Sequence, residues 1–164
     1  MRSVKQRALI VLGALLVLGV VNTAIVGKER IRRSGDVVYL PLAPVDPRSL
    51  VQGDYMALRF ALATDIEGRD TDDQHPEHDG DVAFAAVKLD DKRIASLAAD
   101  AASASMKLRY RIRDGHVWLG TNAFFFEEGT AERFRGARYG EFRVDRSSGE
   151  AVLVGLRNEA LKAL

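Results

Sequence analysis

Four stretches of the chain gather residue types that could do chemistry. Between Asp65 and Asp81, "DIEGRDTDDQHPEHDGD" holds eight acids, one base, and His75 and His78 at an H-x-x-H spacing. Such a set could offer oxygen and imidazole ligands to a divalent cation. Pro76 between the two histidines opposes the helix that would bring both imidazoles to one side, and the alternating acids of a calcium loop are missing. The stretch therefore reads as a solvated acidic loop, with neither a metal nor a cofactor implied. Glu127 and Glu128 are adjacent acids, but neighbours on a strand point to opposite faces and cannot converge on one bond as a carboxylate pair must. One of them suits the positive end of the helix that begins nearby.

The other two stretches read as binding surfaces. In "APVDPRSLVQGDYMALRF", Asp46 and Pro47 fit a type I turn, Gly53 is free to take a positive φ, and Asp54 can accept a backbone N–H where a strand begins. Asp46, Arg48, Gly53, Asp54 and Tyr55 are the binding candidates of this corner. In "MKLRYRIRDGHVWLG", Asp114-Gly115 reads as a two-residue type I′ turn. The register sets Arg113 opposite His116, Ile112 opposite Val117, Arg111 opposite Trp118 and Tyr110 opposite Leu119. One face of this hairpin is apolar and the other carries Lys107, Arg109, Arg111, Arg113 and Trp118. Arg109, Arg111 and Trp118 complete the binding candidates, with Arg111 and Trp118 expected to form a cation–π pair. The structural use of such a face is solvation of a strand; the functional use is docking on anionic lipid headgroups or an acidic partner.

These residues have to be positioned by an ordinary core. The 164-residue chain has a formal net charge of +1, without the basic excess of a nucleic-acid binder, and no cysteine, so no disulfide or thiolate chemistry enters. Residues 8–26, "ALIVLGALLVLGVVNTAIV", carry no charge over a length that as a helix spans about 28 Å, enough to cross a bilayer. Its length, and Asn22 at the outer position of "NTA", favour an uncleaved anchor over a cleaved signal. Arg2, Lys5 and Arg7 face Lys28, Arg30, Arg32 and Arg33 across it, so the flanking charges barely decide orientation. We expect a cytoplasmic tail at 1–7, an anchor at 8–26, a helical extension or linker at 27–35, and a domain at 36–164 outside the cytoplasmic membrane. The bilayer is then one partner, with a membrane protein as a further candidate.

The domain reads as mainly β. "DVVYLPLAP" gives a strand that Pro41 assigns to a sheet edge. Tyr55–Leu62 alternates as a half-buried strand with Met56, Leu58, Phe60 and Leu62 inward. Residues 82–89 and 93–98 form a hairpin through "DDK", followed by an alanine-rich loop. A strand near 122–126 leads to a short helix from the N-cap Thr130 to about Arg138. Strands at 139–145 and 151–157 meet across "RSSG", and "NEALKAL" is expected to close the chain as a helical turn. Seven or eight short strands and one short helix make a small antiparallel barrel or sandwich behind a single transmembrane helix.

"GDYMALRF", Gly53 to Phe60, resembles the signature of the GDYXXLXY family of bacterial membrane-anchored proteins, with Phe60 in place of the usual final tyrosine. The likeness extends to "PVDPRSLVQ" upstream and "FFFEEGTAERFRGARYGEFRV" downstream. It implies an anchored envelope protein and no particular activity, which favours a non-catalytic binding module. Signal peptidases also carry a Gly-Asp run before a β-strand, and pair a serine just before a proline with a lysine. Here Asp46 precedes Pro47 and Ser49 follows it, with Lys88 and Lys92 as available bases. A serine hydrolase built on Ser49 or Asp54 is therefore the alternative.

Overall fold

The computed structural model describes residues 4–43, 51–52, 55–69 and 80–164. Helix α1, Val4–Ser34, carries the apolar run and continues past it without a break. Its apolar side chains project away from the rest of the protein, and Asn22 and Thr23 return hydrogen bonds to the carbonyls of Leu18 and Gly19 at 3.0 and 2.8 Å. Over Ala8–Ser34 the helix is long and apolar enough to cross a membrane. Residues 27–34 are thus a helical extension. Glu29 bonds Arg33 at 2.7 Å and Arg32 at 3.3 Å along its last turns, and the two arginines complement the negative end of the helix dipole.

The helix ends against the domain. Ile31 is buried, and the Gly35 N–H closes the helix on the Ile31 carbonyl at 2.8 Å. A Cβ at Gly35 would lie 3.0 Å from the Val144 nitrogen and 3.1 Å from Arg143 Cβ, so only glycine lets helix and sheet approach this closely.

The domain is built of antiparallel sheets, one group curving into a half-barrel. Strands β1 (Asp36–Pro41), β9 (Tyr139–Val144) and β10 (Ala151–Arg157) form one sheet in the order β1-β9-β10. Strands β5 (Ala95–Leu97), β4 (Val82–Leu89), β6 (Met106–Arg113) and β7 (His116–Trp118) form a second, in that order. A bridge from Tyr39 to Ile94 joins the two at the β1 edge, where Pro41 was expected. The third sheet runs β2 (Val51–Gln52), β3 (Tyr55–Ala57), β8 (Ala123–Phe125). Val38, Leu40, Phe60, Leu108, Phe142 and Leu156 form the centre of the core, each 2% exposed or less.

The strand expected at Tyr55–Leu62 stops at Ala57, and helix α2, Ala61–Gly68, takes its last two positions. Met56, Leu58, Phe60 and Leu62 do all face inward. The alternation was ambiguous because Leu62 and Ile66 are also one helical turn apart, and alanines at 61 and 63 favour the helix. Glu67, near the end of α2, accepts the Val117 N–H at 2.8 Å and so blunts the β7 edge. Helix α3, Ala131–Phe134, is shorter than the expected run to Arg138. Phe134 seats between Phe124 and Phe126, with ring centroids 5.1 and 5.3 Å away, and Gly136 follows. Thr130 holds the N-cap position, but its hydroxyl donates to the Glu127 carbonyl at 2.6 Å.

The expected terminal helical turn is instead an Asn-capped return. Asn158 Oδ1 accepts from the Ala160 and Lys162 N–H groups, and Ala163 bridges back to Arg157. Among the described residues there are ten strands and three helices, more than the seven or eight strands and one short domain helix expected. The elements with no counterpart among the segments named from the sequence are β2, which is two residues long, and α2.

Between β9 and β10, Asp145 Oδ1 accepts from the amides and hydroxyls of both Ser147 and Ser148. These bonds, the Ser147 hydroxyl first among them, lower the Asp145 pKa from 3.8 to about 2. Because the folded value is depressed, the turn's stabilisation is present above about pH 4 and is lost as pH falls through about 2. Acid titration should shift the Ser147 and Ser148 amide resonances over that window, and Asp145→Asn should abolish the shift. Unchanged resonances down to pH 2 in the parent chain would contradict the assignment.

Candidate functional site

The two candidate surfaces fare differently. Of the corner residues, Asp46, Arg48, Gly53 and Asp54 lie outside the described residues, as do Ser49, His75 and His78. On either side of Gly53 and Asp54 the chain is antiparallel, Gln52 pairing with Tyr55 and Val51 with Met56. Tyr55 is half-buried and sets its ring 5.8 Å from that of Phe125, its cross-strand partner on the β8 edge. Phe125 is 74% exposed.

The hairpin surface is built as its register required: Arg111 opposite Trp118, Ile112 opposite Val117, Arg113 opposite His116. Asp114 and Gly115 adopt φ of 52° and 74°, as a type I′ turn demands. Val117, Leu108 and Tyr110 are buried on the inner side. One expectation fails: the guanidinium over the Trp118 ring, 5.2 Å from its centroid, belongs to Arg113. The indole reaches along the diagonal of the pair toward Arg113, which leaves Arg111 directly opposite but free to point elsewhere.

Arg111 lines a cleft of about 300 Å³ that sequence reasoning did not assemble. Among the described residues its cationic lining is Lys28, Arg109, Arg111 and Arg113, and Glu150 is its single carboxylate. Strand β6 supplies the arginines, and the end of β7 forms one wall with Trp118. The other wall is the turn before β10, held on β6 by the Arg109 N–H donating to the Gly149 carbonyl at 2.8 Å. Lys28 closes the cleft from the helix and pairs with Glu150. Within the described residues, the Arg109 and Arg111 guanidiniums make no ion pair and no side-chain hydrogen bond, although both are half-buried. Partly desolvated cations without counter-charges favour an incoming anion, and the planar guanidinium fork suits a phosphate or carboxylate.

Lys28 was visible only as the first charge after the apolar run, and Glu150 only as the acid ending "RSSGE". Their sequence separation of 122 residues gave no local signal that they meet.

Other candidate chemistry is not assembled. Glu127 and Glu128 are exposed beyond β8. Lys88 and Lys92 are exposed on β4 and in the turn after it, and nothing among the described residues supports the serine-hydrolase alternative. No group of three or more His, Asp or Glu side chains among the described residues could hold a metal ion.

Fold and site together define a small antiparallel β domain that grows directly from an apolar amino-terminal helix, with a cationic cleft where the two meet. The chain belongs to the GDYXXLXY family, whose profile, described as GDYXXLXY protein, matches residues 17–156. Neither a curated protein nor a solved structure matches the chain.

Proposed function

We propose that this is a single-pass, membrane-anchored protein of the bacterial envelope, a non-catalytic module that binds an anionic group in the cleft between its anchor helix and the β6–β7 hairpin. The observation that carries the reading is the pair of half-buried guanidiniums, Arg109 and Arg111, which among the described residues make no ion pair, beside Arg113 and Lys28. An enzyme would need a nucleophile or an acid–base pair aimed at a common point. This cleft offers fixed positive charge and an aromatic wall instead, which suits recognition. The amino terminus is placed in the cytoplasm and the domain outside, because residues 1–7 would otherwise have to be translocated. A carboxyl-terminal alkaline phosphatase fusion should accordingly be active, and an inactive, stable fusion reverses the topology.

Binding is tested on the full chain in a neutral detergent. Trp118 is the only tryptophan in the sequence and lines the cleft, so its emission reports occupancy. Titration with inorganic pyrophosphate should give a saturable change that weakens by about tenfold or more as salt rises from roughly 0.05 to 0.5 M. The combined Arg109→Gln and Arg111→Gln variant should lose it. An unresponsive parent protein, or a response that survives the double substitution, removes the cleft as the site.

A further inference from the structure

We infer that the cleft and the sheet face around it hold the headgroup of an anionic phospholipid in the leaflet nearest the domain. This inference rests on reading the chain as a membrane-tethered binding module, and it names the source of the anion.

Position gives the first argument. Lys28 lines the cleft and lies two residues past Val26, where the apolar run ends, a rise of about 3 Å along the helix. With residues 8–26 in hydrocarbon, the mouth of the cleft sits at headgroup level.

The sheet beside the cleft gives the second argument. Across the outer face of this sheet, Phe84 on β4 stands opposite Arg109, and Val82 opposite Arg111, which in turn faces Trp118. Phe84 is 53% exposed and Val82 44%. One row therefore reads apolar, arginine, tryptophan, and the next apolar and arginine. An acidic protein surface would satisfy the arginines but would give Phe84 and Val82 no reason to be exposed among them. The boundary between headgroups and acyl chains satisfies both, because aromatic and aliphatic groups enter the boundary while guanidiniums meet phosphate.

Glu150 gives the third argument. It is the one acid among the described residues that line the cleft, and it is paired with Lys28. A lipid phosphate entering there competes with Glu150 for Lys28 and adds Arg109 and Arg111 as donors that Glu150 does not use.

The test places the full chain in nanodiscs of neutral phosphatidylcholine containing a fixed fraction of lipid brominated high on its acyl chains. The brominated lipid is phosphatidylglycerol in one arm and phosphatidylcholine in the other. Brominated phosphatidylglycerol should quench Trp118 at least about threefold more than brominated phosphatidylcholine, reflecting enrichment of the anionic lipid beside basic residues. Arg109→Glu with Arg111→Glu should equalise the two arms, and the milder Arg109→Gln with Arg111→Gln should reduce the preference if charge reversal disturbs folding. Phe84→Ser should lower quenching by both lipids. Equal quenching in the parent protein overturns the inference, as does a preference unchanged in both arginine variants. So does a membrane-protein adduct trapped by cross-linking from position 84 in native membranes in place of lipid contact. The pyrophosphate titration separates the two readings: a response there with equal lipid quenching leaves an anion-binding module whose ligand is not a lipid, and silence in both removes both.

Discussion

Phe60→Ala should destabilise the domain by about 3–5 kcal/mol, the usual cost of removing a buried phenylalanine ring. Phe60 is 1% exposed, and its ring meets that of Phe142 edge-on at 5.2 Å. Three elements converge on it. Its backbone bridges Leu42 beyond β1, it occupies the N-cap position of α2, and its ring occupies the space above Gly140 in β9, where a Cβ would come within 2.8 Å of Phe60 Cε1. Deleting the ring opens a cavity bounded by strands that cannot easily collapse, since Gly140 has no side chain to fill it. Urea denaturation of the full chain in detergent, followed by Trp118 emission, measures the loss. Phe60→Tyr keeps the ring and restores the residue usual at the end of the family signature, so it should cost much less. A loss below about 1 kcal/mol for Phe60→Ala would mean that the last signature position is not part of the core.

Arg157→Met should cost a similar amount, about 3–5 kcal/mol, for an electrostatic reason. Glu141 is the one buried charged residue among those described, 6% exposed in the central strand of its sheet. Arg157 on β10 donates to it from Nε at 2.6 Å, whereas Arg143 stands 4.0 Å away. Removing Arg157 leaves a carboxylate out of water without its hydrogen-bonded counter-charge, and the methionine cannot replace it. Glu141→Gln added to Arg157→Met should recover part of the loss, because a neutral amide is cheaper to bury than an unpaired carboxylate. The same denaturation experiment decides. If the double variant is no more stable than Arg157→Met, the arginine acts through packing of its aliphatic stem.

Where a pattern repeats with a period that only one element satisfies, the sequence was readable. The β6–β7 hairpin has strict alternation on both sides of an Asp-Gly turn, and its register follows residue for residue from Arg111–Trp118 to Arg113–His116. Pro41 located a sheet edge because it cannot donate to a ladder. Short windows were less decisive. The run from Met56 to Ile66 satisfies both periods, so the inward residues were identified while the element holding Leu62 was not. The candidate site was half legible for a related reason. A single strand pair revealed Arg109, Arg111 and Trp118, but the cleft also needs the anchor helix and the turn before β10, and no local pattern links Lys28 to Glu150. The aromatic partner of Arg113 was missed because pairing rules name opposite neighbours, whereas long side chains also meet along diagonals.

Because α1 runs unbroken from the apolar stretch to Gly35 and locks there against β9, the helix and the arginine face share one rotational phase. One residue added within the helix would turn that face by about 100° about the helix axis, and four would bring it back to within roughly 40°. The angular setting of the span within its bilayer is therefore also the compass bearing of the cleft, and any neighbour that rotates or tilts the span steers the cleft with it.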